Sequence, residues 1–195
     1  MAKRKVFIEN LLKTHFSPIE NALFQQHHLE MAEDFSEVCY KGFKFLITRN
    51  PTDHTMESYI NELKRYNTKV VIRVCDPTYD VRPLKNAGIK VFDLTIPDGA
   101  SPPDRVLAMF FEIVRKQYES NPDSCIAVHC VSGLGRAPVM IATALIELGF
   151  PYEDAVTMIR QKRRGAINAK QLDFLSKYKP RHRLADGKKK SCVIQ

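Results

Sequence analysis

Apolar residues recur along this chain in two rhythms: short runs of strand length, and longer stripes at helical spacing. From Ser36 the stretch EVCYKGFKFLIT predicts a β-hairpin that turns at Lys41-Gly42. Asn50-Pro51-Thr52 ends the second strand and caps a helix from His54 to Tyr66, with Met56, Ile60 and Leu63 at core spacing. The run Lys69 to Val74 predicts a strand ending at Cys75. A short helix over Val81 to Ala87 stops at Gly88, Ile89 to Leu94 forms a further strand, and Asp104 to Tyr118 a longer helix. Strands alternating with helices imply an α/β fold: a single domain with a central, mostly parallel, twisted sheet and helices on both faces. Residues 1–34 stand apart as an extension. Ser17-Pro18-Ile19-Glu20 reads as a helix start, but Gln26, His27 and Glu30 interrupt the stripe of Ile19, Ala22, Leu23 and Met31. The domain proper then covers 35–180, and a basic tail 181–195.

The stretch Cys125 to Glu147, CIAVHCVSGLGRAPVMIATALIE, organises the rest. A buried-strand run, Cys125 to Val128, meets the tight loop Val131-Ser132-Gly133-Leu134-Gly135, and a strongly apolar helix begins near Arg136. Strand, glycine loop and helix N-terminus form an anion site, because unpaired N–H groups and the helix dipole converge on one point. At its mouth lie Cys130 and, six positions on, Arg136. A free cysteine has a pKa near ~8.5, which a helix N-terminus and a nearby cation can lower to roughly 3.5–7.5. The Arg136 guanidinium matches two phosphate oxygens. This combination predicts attack by sulfur on phosphorus. The loop lacks the Gly-Lys-Ser/Thr of a nucleotide-binding loop, and His129-Cys130 has no second ligand pair at metal-binding spacing, so neither metal nor cofactor is expected.

HCVSGLGRA resembles the signature loop of the cysteine-dependent tyrosine and dual-specificity phosphatases. Ala137, the stretch EDAVTMIRQKRRGAINAKQLDFL and the terminal Cys192-Val193-Ile194-Gln195 make it similar to one branch, the prenylated type IVA phosphatases of regenerating liver. The likeness spans roughly residues 36 to 195. It implies a cysteine-phosphatase fold, Cys130 as nucleophile, and a phosphate loop of Val131, Ser132, Gly133, Leu134, Gly135 and Arg136. It also implies an orienting role for His129. Most relatives carry Ser or Thr after the Arg, whose hydroxyl helps sulfur leave, so Ala137 implies slow breakdown of a phosphoenzyme.

A leaving oxygen needs a proton. The loop Leu94-Thr95-Ile96-Pro97-Asp98-Gly99-Ala100 resembles the family's acid loop and places Asp98 at the general-acid position, with Leu94 where the family has Trp. Asp93 is the runner-up acid. Cys75, in VCDPTYD, ends a neighbouring strand, and the resemblance implies a reversible Cys75–Cys130 disulfide that silences the enzyme on oxidation. Cys39 and Cys125 read as core. Gln171 is a candidate for positioning the hydrolytic water.

The chain carries a formal net charge of +8, which raises nucleic acid as a partner, but no interleaved aromatics or binding motif support it. The basic residues gather in Lys3-Arg4-Lys5, Arg160 to Arg164 and Lys177 to Lys190. The last group leads to a terminus patterned for farnesylation of Cys192, and one lipid needs polybasic support such as Lys188, Lys189 and Lys190. The expected location is the cytoplasmic face of the plasma membrane or endosomes, or the cytosol without the lipid. Five cysteines at irregular spacing fit a reducing compartment. The expected substrate is a phosphotyrosine protein or another phosphomonoester. The resemblance also implies a second role, docking of magnesium-transport mediator domains through the phosphate pocket. A rhodanese-type sulfur transferase is the third reading, and oligomeric state stays open.

Overall fold

In the computed structural model of the chain, residues 34–184 are described. The expected helix near Ser17 and the lipidation site at Cys192 lie outside them. Five strands form one sheet: β1 (Phe35–Tyr40), β2 (Phe43–Thr48), β3 (Thr68–Arg73), β4 (Lys90–Asp93) and β5 (Cys125–His129), in the order β1-β2-β5-β3-β4. The hairpin turns where the sequence placed it. Lys41 and Gly42 both have positive φ (47° and 82°), the conformation whose twist suits a two-residue connection. All other pairings are parallel, with Thr48 and Arg73 both level with His129 on the central strand. The carboxyl ends of β2, β5, β3 and β4 therefore share one edge, and the loops that follow them converge there.

Helices cover both faces. Phe45, Ile47, Val70, Ile72, Ile126 and Val128 point into the main core with α3 (Asp104–Ser120), α4 (Arg136–Glu147) and α5 (Tyr152–Lys162). Strand alternation sends Leu46, Thr48, Val71 and Ala127 to the other face. There the Thr48 hydroxyl meets Tyr59 of α1 (Met56–Arg65) at 2.9 Å. The short α2 (Arg82–Asn86) packs beside β4, and α6 (Ala169–Lys177) packs on α4. Two sequence expectations need correction. Tyr59, not Ile60, is the buried residue between Met56 and Leu63, because the helix begins at Met56 after one 3₁₀ turn and its stripe is rotated. Cys39 is exposed, since it alternates outward beside buried Val38.

Every residue of α4 is buried, and its charges sit at the unfavourable ends: Arg136 at the N-terminus, Glu147 at the C-terminus. Glu147 is compensated locally. It accepts hydrogen bonds from the Tyr178 hydroxyl, the backbone N–H of Arg181 and Arg183, and the Arg183 guanidinium. Burial pushes its carboxyl up, and these donors outweigh it, leaving the pKa lowered. The Arg183 guanidinium also lies 4.4 Å over the Phe111 ring. This buried carboxylate secures the segment after α6, at the end of α4 remote from Arg136.

Candidate active site

The loop between β5 and α4 is defined from its outer side. The His129 carbonyl accepts from Val74 N–H (2.9 Å), Val131 from Asn50 N–H (3.1 Å), Leu134 from Ile167 N–H (2.8 Å) and Gly135 from Val139 N–H (3.2 Å). The carbonyls of Ser132 and Gly133 accept from the Arg163 guanidinium at 2.9 and 3.2 Å, and that of Cys130 faces His129 Nδ1 at 3.3 Å. All seven carbonyls from 129 to 135 thus have partners outside the loop. With the carbonyls turned out, the amides of the loop are left for the concave side, as an anion nest requires. Cys130 lies at its base, 2% exposed, where β5 ends. Val131 and Leu134 hold their side chains out at the rim, 58% and 40% exposed.

Arg136, buried in the first turn of α4, reaches the acid loop. Its Nη1 donates to the Ile96 carbonyl at 3.1 Å, and its Nη2 lies 2.9 Å from an Asp98 carboxylate oxygen. Asp98 is otherwise exposed, with 91% of its side chain open to solvent. The structure therefore brings Cys130, Arg136 and Asp98 to one site. The chemistry open to it is capture of a tetrahedral anion by amides and guanidinium, with a thiol below and a carboxyl at the mouth. Asp93, the other candidate acid, is engaged elsewhere: Arg73 grips both its oxygens, at 2.5 and 2.9 Å. Leu94, in place of the family's Trp, is packed in the core.

His129 is buried, and its tautomer follows from its partners. The Cys130 carbonyl only accepts, so Nδ1 carries the proton. Nε2 then accepts from the Tyr79 hydroxyl at 2.8 Å. Burial, opposed by the bond to Cys130, lowers its pKa to about 4, so the ring is neutral. Tyr79 is placed in turn by Arg73, which donates to its carbonyl at 3.1 Å and lies 4.8 Å from its ring centroid. Cys75 is buried close enough to feel both Arg136 and Cys130: burial raises its thiol pKa, Arg136 opposes this and Cys130 adds to it. Cys39, Cys75, Cys125 and Cys130 are all free thiols.

Gln171 is fully buried and engaged at both ends. Its Oε1 accepts from Asn168 N–H at 3.1 Å, closing the cap of α6, and its Nε2 donates to the Ala100 carbonyl at 3.4 Å. Sequence reasoning missed Tyr79, Asn50 and Arg163. Arg163 falls within the basic group Arg160 to Arg164, and it is the buried member of that group's last pair. No spacing signal marks it, because it lies just past the end of α5 and its burial depends on the loop it meets.

Comparison with known proteins gives the class of fold, that of the single-domain phosphatases. The profile described as polymorphic toxin system, DSP-PTPase phosphatase matches residues 46–150. The chain is 57% identical over 158 residues to a Drosophila melanogaster PRL-1 phosphatase, covering 80% of this chain and 90% of that one. It is 54% identical over 148 residues to Homo sapiens protein tyrosine phosphatase type IVA 3, covering 76% and 86%. A solved Leishmania major structure described as a protein tyrosine phosphatase superposes with a TM-score of 0.68 at 36% identity, covering 75% and 99%. The chain belongs to the PRL, or type IVA, protein tyrosine phosphatases. It is a phosphatase acting on phosphoprotein or phosphomonoester substrates.

The neutral His129 gives the fold a pH dependence of known sign. Unfolded, an imidazole titrates near ~6.5; folded, this one titrates at about 4. Between those values the unfolded chain binds a proton that the folded chain excludes. Stability is therefore full above the upper value and falls as pH drops toward the lower, by about 3 kcal/mol in all. Urea midpoints measured from pH 7 to 4 are expected to fall more steeply in the wild type than in His129→Gln. Parallel profiles would contradict the assignment.

Proposed function

We propose that the chain hydrolyses phosphate monoesters in two steps through a phosphocysteine on Cys130, and that the second step limits its turnover. The observation that carries this is the loop with all its carbonyls engaged outside, with Cys130 beneath it and Arg136 and Asp98 at its mouth. In the first step the Cys130 sulfur attacks phosphorus. The loop amides and Arg136 hold the three non-bridging oxygens, and Asp98 delivers a proton to the departing oxygen. In the second step water displaces the sulfur. Ala137 stands in the first turn of α4, wholly buried, and offers no hydroxyl to the departing thiolate.

A second reading, docking of magnesium-transport mediator domains, draws support from the apolar rim of Val131 and Leu134. Exposed apolar side chains around an anion pocket suit a protein partner that inserts an acidic residue. The two readings separate in pre-steady-state kinetics on an aryl phosphate. The catalytic reading predicts a burst of one equivalent per chain, then slow release. Ala137→Ser should raise the slow rate on the order of tenfold, the size of one hydrogen bond of about 1.5 kcal/mol to the departing thiolate. No burst from fully reduced protein would leave docking as the role of the pocket.

The membrane reading rests on sequence: Cys192 three residues before Gln195, with three lysines upstream. In a host that prenylates the chain, Cys192→Ser should shift it from the membrane fraction to the soluble one. Unchanged fractionation would end this reading.

A further inference from the structure

We infer that Arg163 is a positioning residue of the phosphate site, a guanidinium that sets the loop from behind while Arg136 meets the substrate from the front. The inference rests on the reading of that loop as a phosphoryl site. Arg163 follows α5 directly and is 6% exposed, a setting that an arginine occupies only when its donors are engaged. Its Nη2 and Nε donate to the carbonyls of Ser132 and Gly133, two successive peptide units at the centre of the loop. A planar fork bonded to adjacent carbonyls fixes both peptide planes, and with them the direction of the next amides in the chain. A lysine in its place would supply the charge without the fork.

Gly133 bears on the same point. Its φ is +70°, and a Cβ there would lie 2.6 Å from Arg163 Nη2 and 2.7 Å from the Thr48 carbonyl oxygen. The glycine therefore serves the outside of the loop as much as the inside, by letting the guanidinium and β2 close on the backbone.

The segment after Arg163 extends the brace. Ile167 is β-branched yet has φ +68°, a conformation that persists only where its surroundings enforce it. Those surroundings are evident: its N–H donates to Leu134, and its carbonyl and that of Ala166 accept from Arg160 at 2.9 and 3.0 Å. One residue further, Asn168 Nδ2 lies 3.5 Å from the Gly99 carbonyl, and Gln171 bonds that of Ala100. A single stretch, 163–171, thus contacts three carbonyls of the phosphate loop and two of the acid loop. Arg163 is its charged member against the phosphate loop.

The test uses the full chain and orthovanadate as probe, with binding measured by calorimetry, and phosphoenzyme formation from an aryl phosphate measured alongside. Arg163→Gln removes both fork and charge, and Arg163→Lys removes the fork alone. Arg163→Gln is expected to weaken vanadate binding by about tenfold or more and to slow the burst, with circular dichroism unchanged; the loss of one aligned donor to an oxyanion is of this order or larger. Arg163→Lys should fall between it and wild type. Wild-type vanadate affinity in folded Arg163→Gln would overturn the assignment. Should that variant fail to fold, wild-type affinity in Arg163→Lys would do so. A wild-type chain that binds no vanadate would overturn the phosphate-site reading, and this inference with it.

Discussion

The candidate site depends on one constraint: seven successive peptide carbonyls, from His129 to Gly135, are satisfied on the outer side of the loop. A loop of this length has as many amides as carbonyls, and a flat or wandering backbone would present both to an incoming anion. Presenting amides alone requires outside donors at every step. The chain after β3 gives Val74, the chain after β2 gives Asn50, the His129 ring serves Cys130, the α5–α6 segment gives Arg163 and Ile167, and α4 gives Val139. The parallel sheet supplies two of these, Val74 and Asn50, because it brings the ends of β2, β3 and β5 to one edge. The fold is thus a scaffold for a backbone direction.

The same constraint explains the charges of α4. A helix whose whole surface is buried would ordinarily carry no ions. This one carries a cation where the dipole is positive and an anion where it is negative. Arg136 is unfavourable there without an anion beside it, and Asp98 supplies one. Glu147 is held by four donors from the segment after α6. The first arrangement serves the site, and the second ties down the chain that follows.

Much of this was legible in the sequence. The apolar run of β5, the glycine loop and the all-apolar helix identify a buried strand–loop–helix unit with a cysteine at its turn. The KG turn, the Thr52 cap and Gly88 mark element ends through local backbone chemistry. What stayed hidden was tertiary. Nothing local to Arg163 distinguishes it from Arg164, yet one is buried behind the loop and the other is exposed. Tyr79 meets His129 across 50 positions, and Asn50 reaches Val131 across the sheet edge. Ile60 and Cys39 were misplaced because half-turn rotations of short elements depend on packing that a stripe of four residues does not fix.

The central claim is that phosphorus passes to the Cys130 sulfur. The direct measurement is mass spectrometry of protein quenched in acid during turnover of an aryl phosphate, followed by peptide mapping. The account predicts one phosphoryl group per chain, on Cys130, absent from Cys130→Ser. A labelled residue elsewhere, or turnover with no labelled Cys130 at any time point, would contradict it.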